Sequence, residues 1–93
     1  MVYTNKKTKW KIIMISVRGC DECPKRYPQV SKFCVLNHIE FDLIDLADYD
    51  SKKWEFTPDV YPAFILQKNG ETVLKISGYN GEFTKIEKMI LWK

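Results

Sequence analysis

Cys20 and Cys23 are the residues of this chain best placed, by type and spacing, to do covalent chemistry. They stand in the string Arg18-Gly19-Cys20-Asp21-Glu22-Cys23-Pro24, after a short apolar run and before a stretch of helical periodicity. Two intervening residues let the sulfurs meet within one helical turn, and the amides and positive dipole end of a helix N-terminus stabilise a thiolate on the first cysteine. On this reading Cys20 is the exposed, attacking thiolate. Cys23, one turn in and more shielded, resolves the mixed disulfide by attacking Cys20 and freeing the reduced target. The carboxylates of Asp21 and Glu22 oppose thiolate formation on Cys20, which makes the pair a weaker oxidant and favours a reductant.

The same cysteines admit other chemistry. With Cys34 and His38 they form a nominal Cys-x2-Cys-x10-Cys-x3-His string of the kind that holds zinc. If residues 24–37 are one helix, however, Cys34 lies roughly 16 Å beyond Cys23 at about 1.5 Å per residue, too far to share a tetrahedral ion. Cys34 then reads as a buried packing residue and His38 as a surface or helix-end residue, with no metal ligand among the candidates. A purely structural disulfide would remove little unfolded-state entropy, because the loop it closes is so short.

The composition bounds the rest. A chain of 93 residues with 45% hydrophobic and 14% aromatic side chains is enough for one domain with one core and too short for two. The formal charge of +3, from 15 basic and 12 acidic residues, is concentrated in Asn5-Lys6-Lys7-Thr8-Lys9, which reads as a solvated polar segment over residues 1–9. No basic face interleaved with aromatics and no reader motif is legible, so no nucleic-acid partner is expected. No stretch approaches the ~20 apolar residues of a bilayer span, and Ile12-Ile13-Met14-Ile15 is too short for a secretory h-region. A soluble chain without a membrane partner, cytoplasmic by default, is the expectation. Three cysteines do not make a secreted disulfide framework either.

The elements that must position the cysteines follow from the pattern. Residues 10–17, rich in Ile and Val with little polar alternation, predict a strand buried on both faces. Tyr27, Val30, Phe33, Cys34 and Asn37 recur at three and four residues and predict a helix lying on a sheet, with Asp21 and Glu22 suited to its first turn and Pro24 tolerated there. Residues 39–46 predict a second strand, parallel to the first, which completes a βαβ unit. Residues 47–56 predict a short helix, and 61–67 a third strand. Lys68-Asn69-Gly70 is a tight-turn signal into a fourth strand over 71–77. After Gly78-Tyr79-Asn80-Gly81, the residues Phe83, Ile86 and Ile90 predict a final amphipathic helix.

The resulting order, β-α-β-α-β-β-α with Cys-x-x-Cys opening the first helix, resembles the α/β fold shared by thioredoxins and glutaredoxins. Pro28 stands five residues after Cys23, where thioredoxins carry a helix-kinking proline, and 60–70 through Gly78 resembles their proline-led third strand, hairpin and strand-ending glycine. The resemblance covers residues 10–92 and implies a thioredoxin-like domain over 10–93, with a central mixed four-stranded sheet flanked by helices. It also implies that the Tyr61–Pro62 bond is cis and lies against the cysteine pair. Tyr61 would then pair through its backbone with a substrate polypeptide, and Gly78 would form the neighbouring part of the groove.

The chain also departs from the family. Gly19 stands where thioredoxins have a tryptophan, Asp21-Glu22 replaces their Gly-Pro, and Met14 falls where their buried aspartate assists proton transfer. The glutaredoxin glutathione site is not reproduced, although Arg18 could offer charge near the cysteines. The resemblance implies a monomeric thiol-disulfide oxidoreductase that reduces protein disulfides, with no bound cofactor and with electrons from a reductase or from glutathione. A glutathione-fed glutaredoxin-like reductase and a redox-inactive thioredoxin-like binding module are the alternatives. Trp54 and Tyr79 are candidates for an extended substrate face.

Overall fold

The computed structural model describes residues 8–91. The first seven residues of the expected polar segment 1–9 lie outside the described residues, as do 92 and 93.

The sheet is built around β1 (Trp10–Ser16), in which Ile12, Ile13, Met14 and Ile15 are each 2% exposed or less. Successive side chains of a strand point to opposite faces, so such a run is stable only where both faces are covered. Both are covered here. Ile12 and Met14 join Phe64, Leu66 and Ile76 beneath the helices, against Val30, Cys34, Phe83 and Ile86. Ile13 and Ile15 join Ala63 and Ile65 on the other face, against Ile44, Leu46, Tyr49, Trp54 and Phe56.

β2 (Glu40–Asp45) pairs parallel to β1, from Lys11↔Glu40 to Ser16↔Asp45. The crossover that parallel strands require is α1 (Glu22–Leu36). β3 (Ala63–Lys68) is antiparallel to β1, and β4 (Glu71–Ser77) is antiparallel to β3, giving a mixed sheet in the order β2-β1-β3-β4. The hairpin turns at Asn69 and Gly70, whose φ angles of 52° and 87° are those a two-residue turn demands to match strand twist. The register steps between Leu66↔Leu74 and Gln67↔Thr72, leaving Val73 as an extra residue. α3 (Phe83–Leu91) is the last described element, with Phe83 and Ile86 buried.

Three local expectations are corrected. The third strand begins at Ala63 rather than at Tyr61, because Pro62 has no N–H to give to a ladder. The single helix expected over 47–56 is instead a 3-10 turn, Leu46–Asp48, followed by a one-turn helix, α2 (Ser51–Trp54). Two capping aspartates start two separate turns: Asp45 accepts from the Ala47 amide at 3.1 Å, and Asp50 from those of Lys52 and Lys53 at 3.0 and 3.2 Å. On α1, Val30 and Cys34 are buried, but Tyr27 is 43% exposed and lies at the rim with its ring 5.7 Å from Phe41.

Candidate active site

The end of β1 and the start of α1 present the cysteines. After Ser16 the chain turns through Val17, Arg18 and Gly19, and the Cys20 amide closes the turn on the Val17 carbonyl at 3.2 Å. Gly19 has φ 87°, a left-handed conformation that a side chain would strain. The turn delivers Cys20 to the first turn of α1, where it is joined to Cys23 in a disulfide with Cα atoms 5.5 Å apart. The Cys23 amide, one of the orphan donors of the helix start, donates to Cys20 Sγ at 3.1 Å. That donor would strengthen on a Cys20 thiolate, since hydrogen bonds to ionised acceptors are the stronger ones. Exposure is unequal in the expected sense: Cys23 is 6% exposed and Cys20 only half-buried.

The carboxylates between the cysteines are not equivalent. Asp21 is exposed and its side chain caps no amide. Glu22 accepts from Arg26 Nε at 3.0 Å across one turn of α1.

Tyr61, Pro62 and Gly78 come together at the ends of β3 and β4. The Tyr61–Pro62 bond is cis, Pro62 is buried, and the Gly78 amide donates to the Pro62 carbonyl at 2.9 Å. A cavity of about 270 Å³ lies here between Glu22, Val60, Tyr61, Pro62, Gly78 and Tyr79, and Glu22 connects it to the cysteine turn. Gly78, at φ 91°, is buried with Val60 Cγ1 3.5 Å from where a Cβ would sit. A second cavity of about 450 Å³ opens on the other side of the disulfide, lined by Met14, Val17, Cys20, Cys23, Tyr27 and Leu43. Among the described residues that line it, apart from the cysteines, Tyr27 is the one titratable group, and none is a carboxylate. Met14 is fully buried and stands where a carboxylate would face Cys23 in the resembling family.

The remaining sequence candidates fall elsewhere. Cys34 is 1% exposed in the core, and burial pushes its thiol up to about 11. His38 is exposed at the end of α1 with φ 58°. The described residues contain no cluster of three His, Cys, Asp or Glu side chains suited to a metal. No described helix is long and apolar enough to cross a membrane. Of the two aromatics expected on an extended substrate face, Trp54 packs instead on the core face opposite α1 and α3, whereas Tyr79 does line the cavity beside Tyr61, Pro62 and Gly78 while stacking on Phe83 with ring centroids 5.1 Å apart. No motif in the sequence marks Arg26 or Val60 as a site residue. The i,i+4 spacing of Glu22 and Arg26 was the one available signal for the former.

Solved structures share this architecture. One is the oxidised form of mitochondrial thioredoxin 3 from Saccharomyces cerevisiae, at 27% identity and TM-score 0.70 over 88% of this chain and 76% of that one. The chain is a thioredoxin-like Cys-x-x-Cys protein. This thioredoxin-like chain also matches oxidised thioredoxin from Plasmodium falciparum, at 23% identity and TM-score 0.70 over 88% of this chain and 82% of that one. A further match comes from a structure concerned with thiol resolution in yeast mitochondrial 1-Cys peroxiredoxin via glutathione/thioredoxin systems, at 26% identity and TM-score 0.70, with 88% and 76% coverage. No protein-family model matches the thioredoxin-like chain, and none of the curated proteins is significantly similar to it in sequence.

Proposed function

We propose that this thioredoxin-like chain is a thiol-disulfide oxidoreductase that reduces protein disulfides through Cys20 and Cys23. The observation that carries the reading is the Cys20–Cys23 disulfide at the start of α1, with the Cys23 amide directed at Cys20 Sγ at 3.1 Å. In the reduced protein, Cys20 thiolate attacks one sulfur of a substrate disulfide, forming a mixed disulfide and releasing the other sulfur as a thiolate that takes up a proton. Cys23, deprotonated, then attacks Cys20 Sγ; the Cys20–substrate bond breaks and the second substrate thiol leaves reduced. Two electrons and two protons pass from the dithiol to the substrate, and the protein is left with the disulfide described above.

The cavity beside Tyr61, Pro62 and Gly78 supports an extended polypeptide as substrate, bound through the Tyr61 backbone as the family resemblance implies. No bound cofactor enters the scheme. Electrons return from a reductase or from glutathione. A dithiol reductant of this kind belongs in a compartment whose thiols are kept reduced, and the cytoplasm is the proposed location.

The test is trapping. Reduced Cys23→Ser protein, mixed with oxidised insulin, should accumulate a one-to-one adduct linked through Cys20, while Cys20→Ser forms none and the native protein turns over. A Cys23→Ser variant that retains full multiple-turnover activity would overturn the reading in favour of the glutathione-fed, glutaredoxin-like reductase, and a native protein that reduces nothing would leave a thioredoxin-like binding module.

A further inference from the structure

Arg26 makes more directed contacts than any other charged residue near the cysteines. Its guanidinium donates through Nε to Glu22 Oε1 at 3.0 Å, through one terminal nitrogen to Gln29 Oε1 at 3.0 Å, and through the other to Asn80 Oδ1 at 2.9 Å. Its central carbon also lies 4.4 Å from the centroid of the Tyr79 ring. The Arg26 side chain is 22% exposed and that of Glu22 43%. One planar group therefore ties the first turn of the redox helix to the loop that follows β4, a use of the fork geometry that lysine cannot reproduce.

We infer that Arg26 is a positioning residue for the redox pair: by pinning the Glu22 carboxylate in a fixed ion pair, it removes from Cys20 a negative charge that the Cys-x-x-Cys sequence places beside it. The other charges around Cys20 do not perform this task. Arg18 and Asp21, on the turn and at the helix cap, are exposed to solvent. Lys25 on α1 is exposed as well. Among the described residues, the cavity towards β1 and β2 presents the Tyr27 phenol, and the opposite cavity the phenols of Tyr61 and Tyr79 besides Glu22 itself. Among the described residues of these walls Glu22 is the sole carboxylate, and Arg26 is its direct partner.

The inference rests on Cys20 being the attacking thiol of the proposed reductase. Its test reads ionisation rather than turnover, so the two can fail separately. In the reduced protein, the Cys20 thiolate is titrated by its ultraviolet absorbance and by the pH dependence of its alkylation with iodoacetamide. Arg26→Ala should raise the Cys20 pKa by about half a unit, since it leaves unpaired a carboxylate only two residues along the chain from Cys20. Glu22→Gln should lower it, because Arg26 is then the unpaired charge. The double variant Glu22→Gln/Arg26→Ala should return it to within about 0.2 units of the native value, because removing a charge and its counter-charge nearly cancels. Arg26→Lys, which keeps the charge without the fork, should fall between native and Arg26→Ala. An Arg26→Ala shift that Glu22→Gln fails to reverse means that Arg26 acts only by holding the fold, and overturns the inference. So does the absence of any shift. Should Arg26→Ala fail to fold, the Glu22→Gln titration alone decides, and an unmoved or raised pKa refutes the idea. A normal set of shifts in a protein that reduces no disulfide would refute the proposed reductase and leave this coupling intact.

Discussion

In the reduced protein at pH 8, Cys34 should alkylate on the order of a hundredfold more slowly than an ordinary exposed thiol, so that labelling is confined to the site. The thiolate is the reacting species. Burial in the helix-side core pushes the Cys34 thiol up to about 11, which leaves about one molecule in a thousand ionised at pH 8. An unperturbed cysteine, at about 8.5, is ionised in about one molecule in four at that pH. The ratio is about 250, and because Cys34 is 1% exposed, steric exclusion can only widen it. The assay is a short pulse of iodoacetamide on protein reduced with a phosphine, quenched in acid, digested and weighed peptide by peptide. The same pulse in guanidinium should bring Cys34 up to the rate of a free thiol. If Cys34 labels within tenfold of the free-thiol rate in the native protein, either it is not buried in this core or its neighbourhood opens far more often than a packed helix should.

Alkaline pH should erode stability. The Cys34 pKa is raised on folding, so its contribution is fully present below about pH 9 and is lost as pH rises towards 11, by up to about 2 kcal/mol. Tyr49, whose phenol is raised by burial and donates to the Phe56 carbonyl at 2.6 Å, changes in the same sense, as does Lys11, raised by its hydrogen bond to Asp42. Denaturant melts of the reduced protein between pH 7 and 11 check this, and Cys34→Ala should flatten the curve; a rise in stability over that window contradicts it. Phe83→Ala removes a side chain 3% exposed whose ring lies 5.1 Å from both Phe64 and Tyr79 and 5.7 Å from Phe33, and should cost about 3–5 kcal/mol. Its melting temperature should fall by more than about 10 °C, as read by calorimetry. Gly78→Ala should cost about 1–2 kcal/mol for backbone reasons alone, because the added Cβ would meet Val60 at an ordinary 3.5 Å while φ stays at 91°; an unchanged denaturation midpoint counts against that conformation.

The parts of this fold legible in the sequence are those governed by short-range rules. The apolar run Ile12–Ile15 demanded cover on both faces, Asn69-Gly70 demanded a two-residue turn, and Phe83 and Ile86 set the buried stripe of the last helix. Where two local signals compete, the reading weakens. Asp45 and Asp50 each cap a turn, so a segment read as one short helix became two separate turns, and Tyr27 keeps helical spacing with the core residues yet sits at the rim. The cysteines declared themselves by spacing. The surroundings that tune them did not, because they depend on long-range contacts: Arg26 meets Asn80 54 residues further on, and Gly78 meets Pro62 across the strand ends. Asp21 and Glu22 read alike as free negative charge in the sequence, and only the ion pair with Arg26 separates them.

The most direct test of the central claim is the redox equilibrium of the intact protein in glutathione buffers, quenched in acid, alkylated and read by mass. The account predicts a reversible transition that takes up two electrons per molecule, located in the peptide bearing Cys20 and Cys23, with Cys34 unmodified throughout. A disulfide that forms but is reduced only after denaturation, or a pair that never cycles across the range of the glutathione couple, would contradict it.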